Sequence, residues 1–229
     1  MEAGRTIAID ELARQVLERA KARSSARYVL GIAGPPGAGK STLAERLRDG
    51  IRAIAGKDAV EIAPMDGFHL PNAELALRGW THQKGEPHTF DVDGYVEILR
   101  ALRRSGEDVA VPVYDRTRHE PRLDGARFSA NTTIVITEGN YLLLDVYGWS
   151  DIRSCLDEAW FLDADRALLA QRLYARHVDG GKTPDVARQK VEISDLANAE
   201  IVASSIDRAD LVLVDEGRTY RLRKPYDGQ

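Results

Sequence analysis

Cysteine is nearly absent from this chain of 229 residues, and neither charge sign is in large excess. The one cysteine, Cys155, excludes an intrachain disulfide and fits a reducing compartment. Lys and Arg number 32 against 36 Asp and Glu, which argues against a general nucleic-acid coat because phosphate neutralisation needs basic surface. No apolar run approaches the ~18 residues of a membrane span, and the N-terminal residues contain no signal-peptide core. We therefore expect a cytoplasmic protein that binds neither membranes nor nucleic acid.

Short apolar runs alternate with helical patterns along most of the chain. Most of the runs are continuously apolar, which is typical of parallel strands covered on both faces. The order predicts one α/β domain over residues 1–229, with a three-layer, doubly wound, mainly parallel sheet of P-loop NTPase type. The predicted strands are Arg27–Ala33, Ala59–Pro64, Val109–Val113, Thr133–Thr137, Glu158–Leu162, Leu211–Val214 and, as an antiparallel edge strand, Thr219–Arg223. The predicted helices are Ile9–Ala20, Thr42–Ile54, Val92–Arg104, Arg166–His177 and Pro184–Ala203.

A glycine-rich turn separates the first predicted strand from the helix after it. Residues 34–41 read GPPGAGKS and match the phosphate-loop pattern G-x-x-x-x-G-K-[ST]. Glycine lets backbone amides face phosphate oxygens, and the helix start adds the positive end of its dipole. Lys40 would bind the β- and γ-phosphates of ATP, and Ser41 would bind Mg²⁺. The predicted nucleotide-binding residues are Gly34, Pro35, Gly37, Ala38, Gly39, Lys40, Ser41 and Thr42.

Two acidic residues follow apolar runs. Glu138 ends the run that begins at Thr133, where a Walker B carboxylate would hold Mg²⁺; the alternative is an exposed acid at a strand end. Asp66 follows the run Ala59–Pro64 and is the candidate general base, since hydroxyl phosphorylation needs a proton acceptor. A capping or turn role is the alternative for Asp66.

These motifs together resemble the phosphoribulokinase, uridine kinase and pantothenate kinase superfamily of P-loop kinases. Residues 66–91, beginning DGFH, are most similar to bacterial pantothenate kinases, whereas residues 112–119, PVYDRTRH, are similar to uridine kinases. The resemblance implies that Asp66 is the catalytic aspartate and Glu138 the acid on the Mg²⁺ side. It also implies that Tyr114 and His119 contact the acceptor, as in uridine kinases.

Further candidate residues for acceptor binding lie in the segments 66–91 and 114–127. Segment 66–91 is predicted to be an acceptor-side insert, in which His69 and Asp91 would contact the acceptor; Asp91 could instead cap the following helix. The second segment is predicted to be a loop at the carboxyl edge of the sheet. Its basic residues suit an anionic group of the acceptor, although a solvated basic loop is the alternative. They are Arg116, Arg118, His119 and Arg122.

Residues from about 172 to about 185 resemble the mobile lid of the superfamily. Arg172 and Arg176 are four positions apart and therefore share one helix face, ahead of the pair Gly180-Gly181. Closing over the γ-phosphate, they would stabilise transition-state charge. A charged helix surface is the alternative.

The predicted function is an ATP- and Mg²⁺-dependent kinase that phosphorylates a hydroxyl of a small metabolite. A sugar-like or nucleoside-like acceptor is favoured, and a pantothenate-like acceptor stays open. The alternative is an ATP-hydrolysing or nucleotide-sensing P-loop module that acts on a protein partner. Nothing in the sequence supports or opposes a homo-oligomer.

Overall fold

The computed structural model describes residues 4–23, 27–104, 106–146 and 148–223. Its strands are β1 (Thr6–Ala8), β2 (Tyr28–Ala33), β3 (Val60–Pro64), β4 (Val109–Asp115), β5 (Glu120–Phe128), β6 (Ile134–Gly139), β7 (Glu158–Asp163), β8 (Leu211–Asp215) and β9 (Thr219–Arg223). Its α-helices are α1 (Ile9–Lys21), α2 (Lys40–Ala55), α3 (Asn72–Leu77), α4 (Val92–Arg103), α5 (Ser150–Cys155), α6 (Arg166–Asp179), α7 (Pro184–Lys190) and α8 (Leu196–Ala203). Among these, none has the length and apolar character needed to cross a membrane.

Seven strands form one sheet in the order β1-β9-β8-β7-β2-β6-β3. The five strands from β8 to β3 are mutually parallel, which confirms the prediction of a mainly parallel α/β sheet. Strand β9 is antiparallel to β8, as predicted, but it does not lie at the edge, because β1 pairs with its other side. With only three residues, β1 is too short to show a strand pattern in the sequence.

The hydrophobic core lies on both faces of this sheet, because successive side chains of each strand point to opposite faces. In the central strand β2, Leu30 and Ile32 belong to the cluster that packs against α1, α2 and α6. Val29 and Ala33 belong to the cluster on the other face, which packs against α4 and α5. All six residues of β2 are buried, which accounts for its continuous apolar run.

The prediction for Val109–Val113 and the segment after it was wrong in part. Strand β4 does not join the main sheet; it pairs antiparallel with β5 in a separate two-stranded hairpin. Most of segment 114–127 is therefore the turn and second strand of this hairpin rather than a loop at the sheet edge. Strand β5 reads EPRLDGARF and is largely exposed, so no apolar alternation marks it in the sequence.

The predicted helix Pro184–Ala203 is interrupted by a π-helical turn at Val191–Asp195. Such turns are rare and occur frequently at functional sites. Asp195 is the last residue of this turn and immediately precedes α8.

Candidate active site

The phosphate loop connects β2, which ends at Ala33, to α2, which begins at Lys40. Gly37 and Gly39 have φ angles of 84° and 102°, in the left-handed region that favours glycine. At Gly34, a Cβ atom would lie 2.4 Å from the Leu162 carbonyl oxygen, so the backbone packs directly against β7. The loop therefore has the glycines that its conformation requires, as the sequence predicts.

Lys40 is the one charged residue of the loop, and its side chain is buried. Its Nζ donates to the Pro35 carbonyl at 3.0 Å and to Asn140 Oδ1 at 2.7 Å. Burial lowers the pKa of Lys40 to about 8, against the opposing effect of Glu138 and Asp66, while Arg176 lowers it further. Two acids and one arginine from three separate segments thus act on a single ammonium group. Sequence reasoning missed Asn140, because no motif marks it beyond its place two residues after Glu138.

Ser41 and Glu138 are in direct contact. The Ser41 hydroxyl donates to Glu138 Oε1 at 3.0 Å. Glu138 is buried, and burial raises its pKa, while Lys40 opposes that shift. This geometry differs from an exposed acid at a strand end. A hydroxyl and a carboxylate oxygen brought together are the hard donors that Mg²⁺ prefers.

Asp66 lies in a 3-10 turn, Met65–Phe68, directly after β3. Strand β3 pairs with β6 so that Pro64 is opposite Glu138, which brings both acids to the same edge of the sheet. At the neighbouring Gly67, a Cβ atom would lie 2.1 Å from the carbonyl oxygen of Pro112, so the hairpin backbone packs directly on the Asp66 turn. The half-buried Asp66 is thus placed between the phosphate loop and the hairpin.

His69 lies among aromatic rings one turn beyond Asp66. Its ring centroid is 4.1 Å from that of Phe90 and 4.8 Å from that of Tyr114. Burial lowers the pKa of His69, with Asp66 opposing, so the neutral imidazole is favoured. Its Nδ1 is 2.8 Å from the Asp66 carbonyl oxygen; if Nδ1 donates there, Nε2 is left as an acceptor.

Asp91 has the capping role that the sequence left as an alternative. Its Oδ1 accepts a hydrogen bond from the Gly94 amide at 3.0 Å at the start of α4. Asp91 also lines a cleft of about 1360 Å³ together with His69 and Phe90. Capping occupies one of its carboxylate oxygens, so contact with an acceptor stays a prediction.

The hairpin register separates Tyr114 from Arg122. Tyr114 is opposite Pro121 and Val113 is opposite Arg122, and directly paired residues project to the same face of a hairpin. Tyr114 and Arg122 therefore leave the hairpin on opposite faces. Since Tyr114 contacts His69, the face that carries Arg122 points away from the aromatic cluster of His69, Phe90 and Tyr114.

The three hairpin arginines act on different acids. Burial raises the pKa of Glu138, and the charge of Arg116 is among the effects that oppose this. Arg118 and Arg122 act instead on Asp115, whose pKa is lowered first by the amides of Arg118 and Thr117 and then by the two guanidinium charges. The predicted arginine cluster is therefore divided, with Arg116 acting on Glu138 and the other two arginines on Asp115.

The tip of the hairpin is tied to the insert. His119, with a φ of 53°, accepts at its carbonyl oxygen from Lys84 Nζ at 2.7 Å and from Asn72 Nδ2 at 3.3 Å. The Lys84 ammonium also lies 5.4 Å from the centroid of the Tyr114 ring. These contacts use the backbone of His119 and place the two predicted acceptor segments side by side.

Arg172 and Arg176 share one face of α6, but they act differently. Arg172 donates from Nη1 to the carbonyls of Gly37 at 3.3 Å and Ala38 at 3.1 Å. Arg172 therefore stabilises the backbone conformation of the loop through these two carbonyls. Arg176, one turn later, is the arginine that lowers the pKa of Lys40.

Comparison with known proteins agrees with this geometry. Residues 29–220 match the family model described as "Phosphoribulokinase / Uridine kinase family". The protein YggC of Escherichia coli strain K12 is 36% identical over 194 residues, covering 84% of this chain and 80% of that protein. "Putative uridine kinase C227.14" of Schizosaccharomyces pombe is 31% identical over 219 residues, covering 89% of each chain.

A solved structure shows the same fold. The crystal structure of a "putative fructose transport system kinase" from Silicibacter sp. TM1040 superposes with a TM-score of 0.83 at 36% identity. The match covers 90% of this chain and 98% of that chain.

Proposed function

Because this chain belongs to the phosphoribulokinase/uridine kinase family, and is therefore a P-loop phosphotransferase acting on an alcohol group, we propose the following reaction. The chain transfers the γ-phosphoryl group of ATP, bound with Mg²⁺, to a hydroxyl of a sugar-like or nucleoside-like metabolite. A pantothenate-like acceptor is also compatible with the sequence of the insert.

The convergence of Lys40, Ser41, Asp66 and Glu138 at one edge of the parallel sheet carries this proposal. Open α/β sheets bind ligands at the carboxyl ends of their strands, and all four residues lie there. A nucleotide switch needs the loop, Lys40 and Mg²⁺ ligands, but it needs no carboxylate base beside a cluster of aromatic side chains. Asp66 and the neighbouring aromatic cluster of His69, Phe90 and Tyr114 therefore favour the kinase over the switch.

The oxygens of Ser41 and Glu138 fit Mg²⁺, and these two residues would hold the ion, which would supply positive charge to the nucleotide phosphates. Lys40 adds a point charge at the same phosphates, and the backbone amides of the loop bind them. Arg172 holds that backbone through the carbonyls of Gly37 and Ala38.

Asp66 accepts the proton of the acceptor hydroxyl as its oxygen attacks the γ-phosphorus, while the bond from that phosphorus to the bridging oxygen breaks and ADP leaves. An acceptor bound against the aromatic cluster would place a hydroxyl beside this carboxylate. The charge of Arg116 acts on Glu138 and that of Arg176 on Lys40. Arg116 is therefore the hairpin arginine that we assign to an anionic group of the acceptor.

The test is ATP turnover by the purified chain, alone and with a panel of sugars, sugar phosphates, nucleosides and pantothenate. We expect strong stimulation by one compound class, with a phosphorylated product detectable by mass spectrometry. The Asp66→Asn variant should lose that stimulation and still bind nucleotide. Stimulation by a protein alone, with no small-molecule product, would support the switch instead.

A further inference from the structure

A second pair of side chains joins the lid segment to the neighbouring helix. His177 lies in the last turn of α6, and Asp195 ends the π-helical turn. His177 Nε2 and Asp195 Oδ2 are 2.6 Å apart, and the two side chains are 14% and 16% exposed. Since the carboxylate is the acceptor, the proton of this hydrogen bond lies on Nε2. A short, largely buried hydrogen bond thus fixes the end of the helix that carries both lid arginines.

The His177–Asp195 pair lies next to the arginines of α6. His177 directly follows Arg176, which is one turn after Arg172 and shares its helix face. Arg172 donates to the phosphate-loop carbonyls of Gly37 and Ala38, so the face that carries both arginines is turned towards the loop. The charge of Arg176 also lowers the pKa of Lys40 in that loop.

The π-helical turn decides where Asp195 points. Each α-helical residue advances by about 100°, so one additional residue per turn redirects everything that follows it. Lys190, the last residue of α7, donates from Nζ to Ser194 Oγ across this turn at 3.0 Å. Asp195 therefore projects in a direction different from the one that an uninterrupted α-helix over residues 184–203 would give it.

We propose that the His177–Asp195 pair positions Arg176 for phosphoryl transfer. It holds the last turn of α6 in the orientation that keeps Arg176 on the helix face from which Arg172 contacts the phosphate loop. His177 and Asp195 are positioning residues, because they act through Arg176. The proposal rests on the proposed function, since a turnover effect requires a phosphoryl transfer to support.

The variants Asp195→Ala, His177→Ala and the double variant test the pair. With the compound that best stimulates the wild-type chain, each single change should lower kcat about 10-fold or more, as loss of a hydrogen bond to a charged group does. The affinity for a nonhydrolysable ATP analogue with Mg²⁺ should change less than about 3-fold, because the loop contacts remain. The double variant should lose no more than the worse single, since both remove one interaction. Asp195→Asn, which keeps an acceptor oxygen, should recover most of the loss.

The chain provides a matched control in the ion pair between Arg166 of α6 and Glu200 of α8. This pair also ties α6 to the segment after the π turn, but both side chains are exposed. Glu200→Ala should leave kcat unchanged. A loss in Glu200→Ala equal to that in Asp195→Ala would overturn the proposal, as would additive losses in the double variant.

Failure of the proposed function can be recognised separately. If no compound stimulates the wild-type chain, the proposed function is wrong. The effect of the pair on α6 is then measured by amide hydrogen exchange of residues 166–179 with the ATP analogue and Mg²⁺ bound. Faster exchange in Asp195→Ala and His177→Ala, but not in Glu200→Ala, would support positioning of α6. Unchanged exchange in all three would overturn it.

Discussion

Lys40 donates a hydrogen bond from its ammonium group to the side-chain oxygen of Asn140, 2.7 Å away and two residues beyond Glu138. The start of α2 and the end of β6 are thereby joined at two points, because Ser41 also contacts Glu138. The groups that we propose to bind phosphate and metal are thus joined by two hydrogen bonds, on which the following predictions depend.

Replacing Lys40 by Ala should abolish nearly all phosphoryl transfer. The positive charge that Lys40 places on the transferring phosphate is lost, and no second lysine of the loop replaces it. Steady-state kinetics on a variant with wild-type circular dichroism would test this. A folded Lys40→Ala protein with wild-type kcat would show that the nucleotide site lies elsewhere.

Nucleotide affinity should fall as pH rises above about 8. Burial lowers the pKa of Lys40 to about 8 in the free protein, and a bound anion favours its protonated form. The contribution of Lys40 is therefore complete below the free pKa and decreases as pH rises from there, by at most about tenfold per pH unit. Titration calorimetry with the ATP analogue from about pH 7 to about pH 9.5 would measure it. Lys40→Ala should bind more weakly with no such decline, and an equal decline in both proteins would assign it to another group.

Replacing Asp66 by Asn should separate binding from turnover. We expect kcat to fall about 100-fold or more, as for loss of a positioned general base, while ATP affinity stays within about 3-fold. The amide preserves the shape of the turn, so thermal stability should be similar. An equal loss of ATP binding would instead make Asp66 a metal ligand or a structural residue.

Replacing Arg172 should mainly weaken nucleotide affinity, whereas replacing Arg176 should mainly lower kcat. Arg172→Ala removes donors to two loop carbonyls and should weaken nucleotide affinity about 5- to 30-fold, allowing for its partial exposure. Arg176→Ala should leave nucleotide affinity nearly intact and lower kcat about 10-fold or more. Direct binding of the ATP analogue, combined with turnover, distinguishes these outcomes. The same signature from both variants would contradict the division of roles.

The hairpin arginines should differ in the same assay. The sequence predicts that Arg116, Arg118 and Arg122 all bind an anion, whereas the charges of Arg118 and Arg122 lower the pKa of Asp115 and that of Arg116 opposes the raised pKa of Glu138. For an anionic acceptor, the loss of transition-state stabilisation calculated from kcat/KM should be about 1.5–3 kcal/mol in Arg116→Ala. In Arg122→Ala it should be about 0–1 kcal/mol. If the best acceptor is neutral and Arg116→Ala behaves like the wild-type protein, none of the hairpin arginines binds the acceptor.

The phosphate loop and the two acids could be read from the sequence because their signals are local. Glycines at 37 and 39 are required by the backbone itself, and Glu138 and Asp66 follow buried apolar strands. Pairing of β4 with β5 has no such signal, since β5 is mostly exposed and carries charges on both sides of a glycine.

Asn140 and Asp195 could not be found for a different reason. Each acquires its role from a partner distant in sequence, Lys40 for Asn140 and His177 for Asp195. The π turn that presents Asp195 reads VEISD, which is unremarkable for a helix. A residue whose role depends on a tertiary contact is not marked by any periodic pattern in the sequence.

The close backbone contact between Gly67 and Pro112 couples the position of the hairpin to that of the Asp66 turn. A Cβ atom at Gly67 would lie 2.1 Å from the Pro112 oxygen, so the two backbones are already packed together. An acceptor that displaces Tyr114 and the hairpin would therefore also displace Asp66. The fit of an acceptor against the hairpin would then set the distance between its hydroxyl and the Asp66 carboxylate, so an alcohol that fits poorly would bind but react slowly.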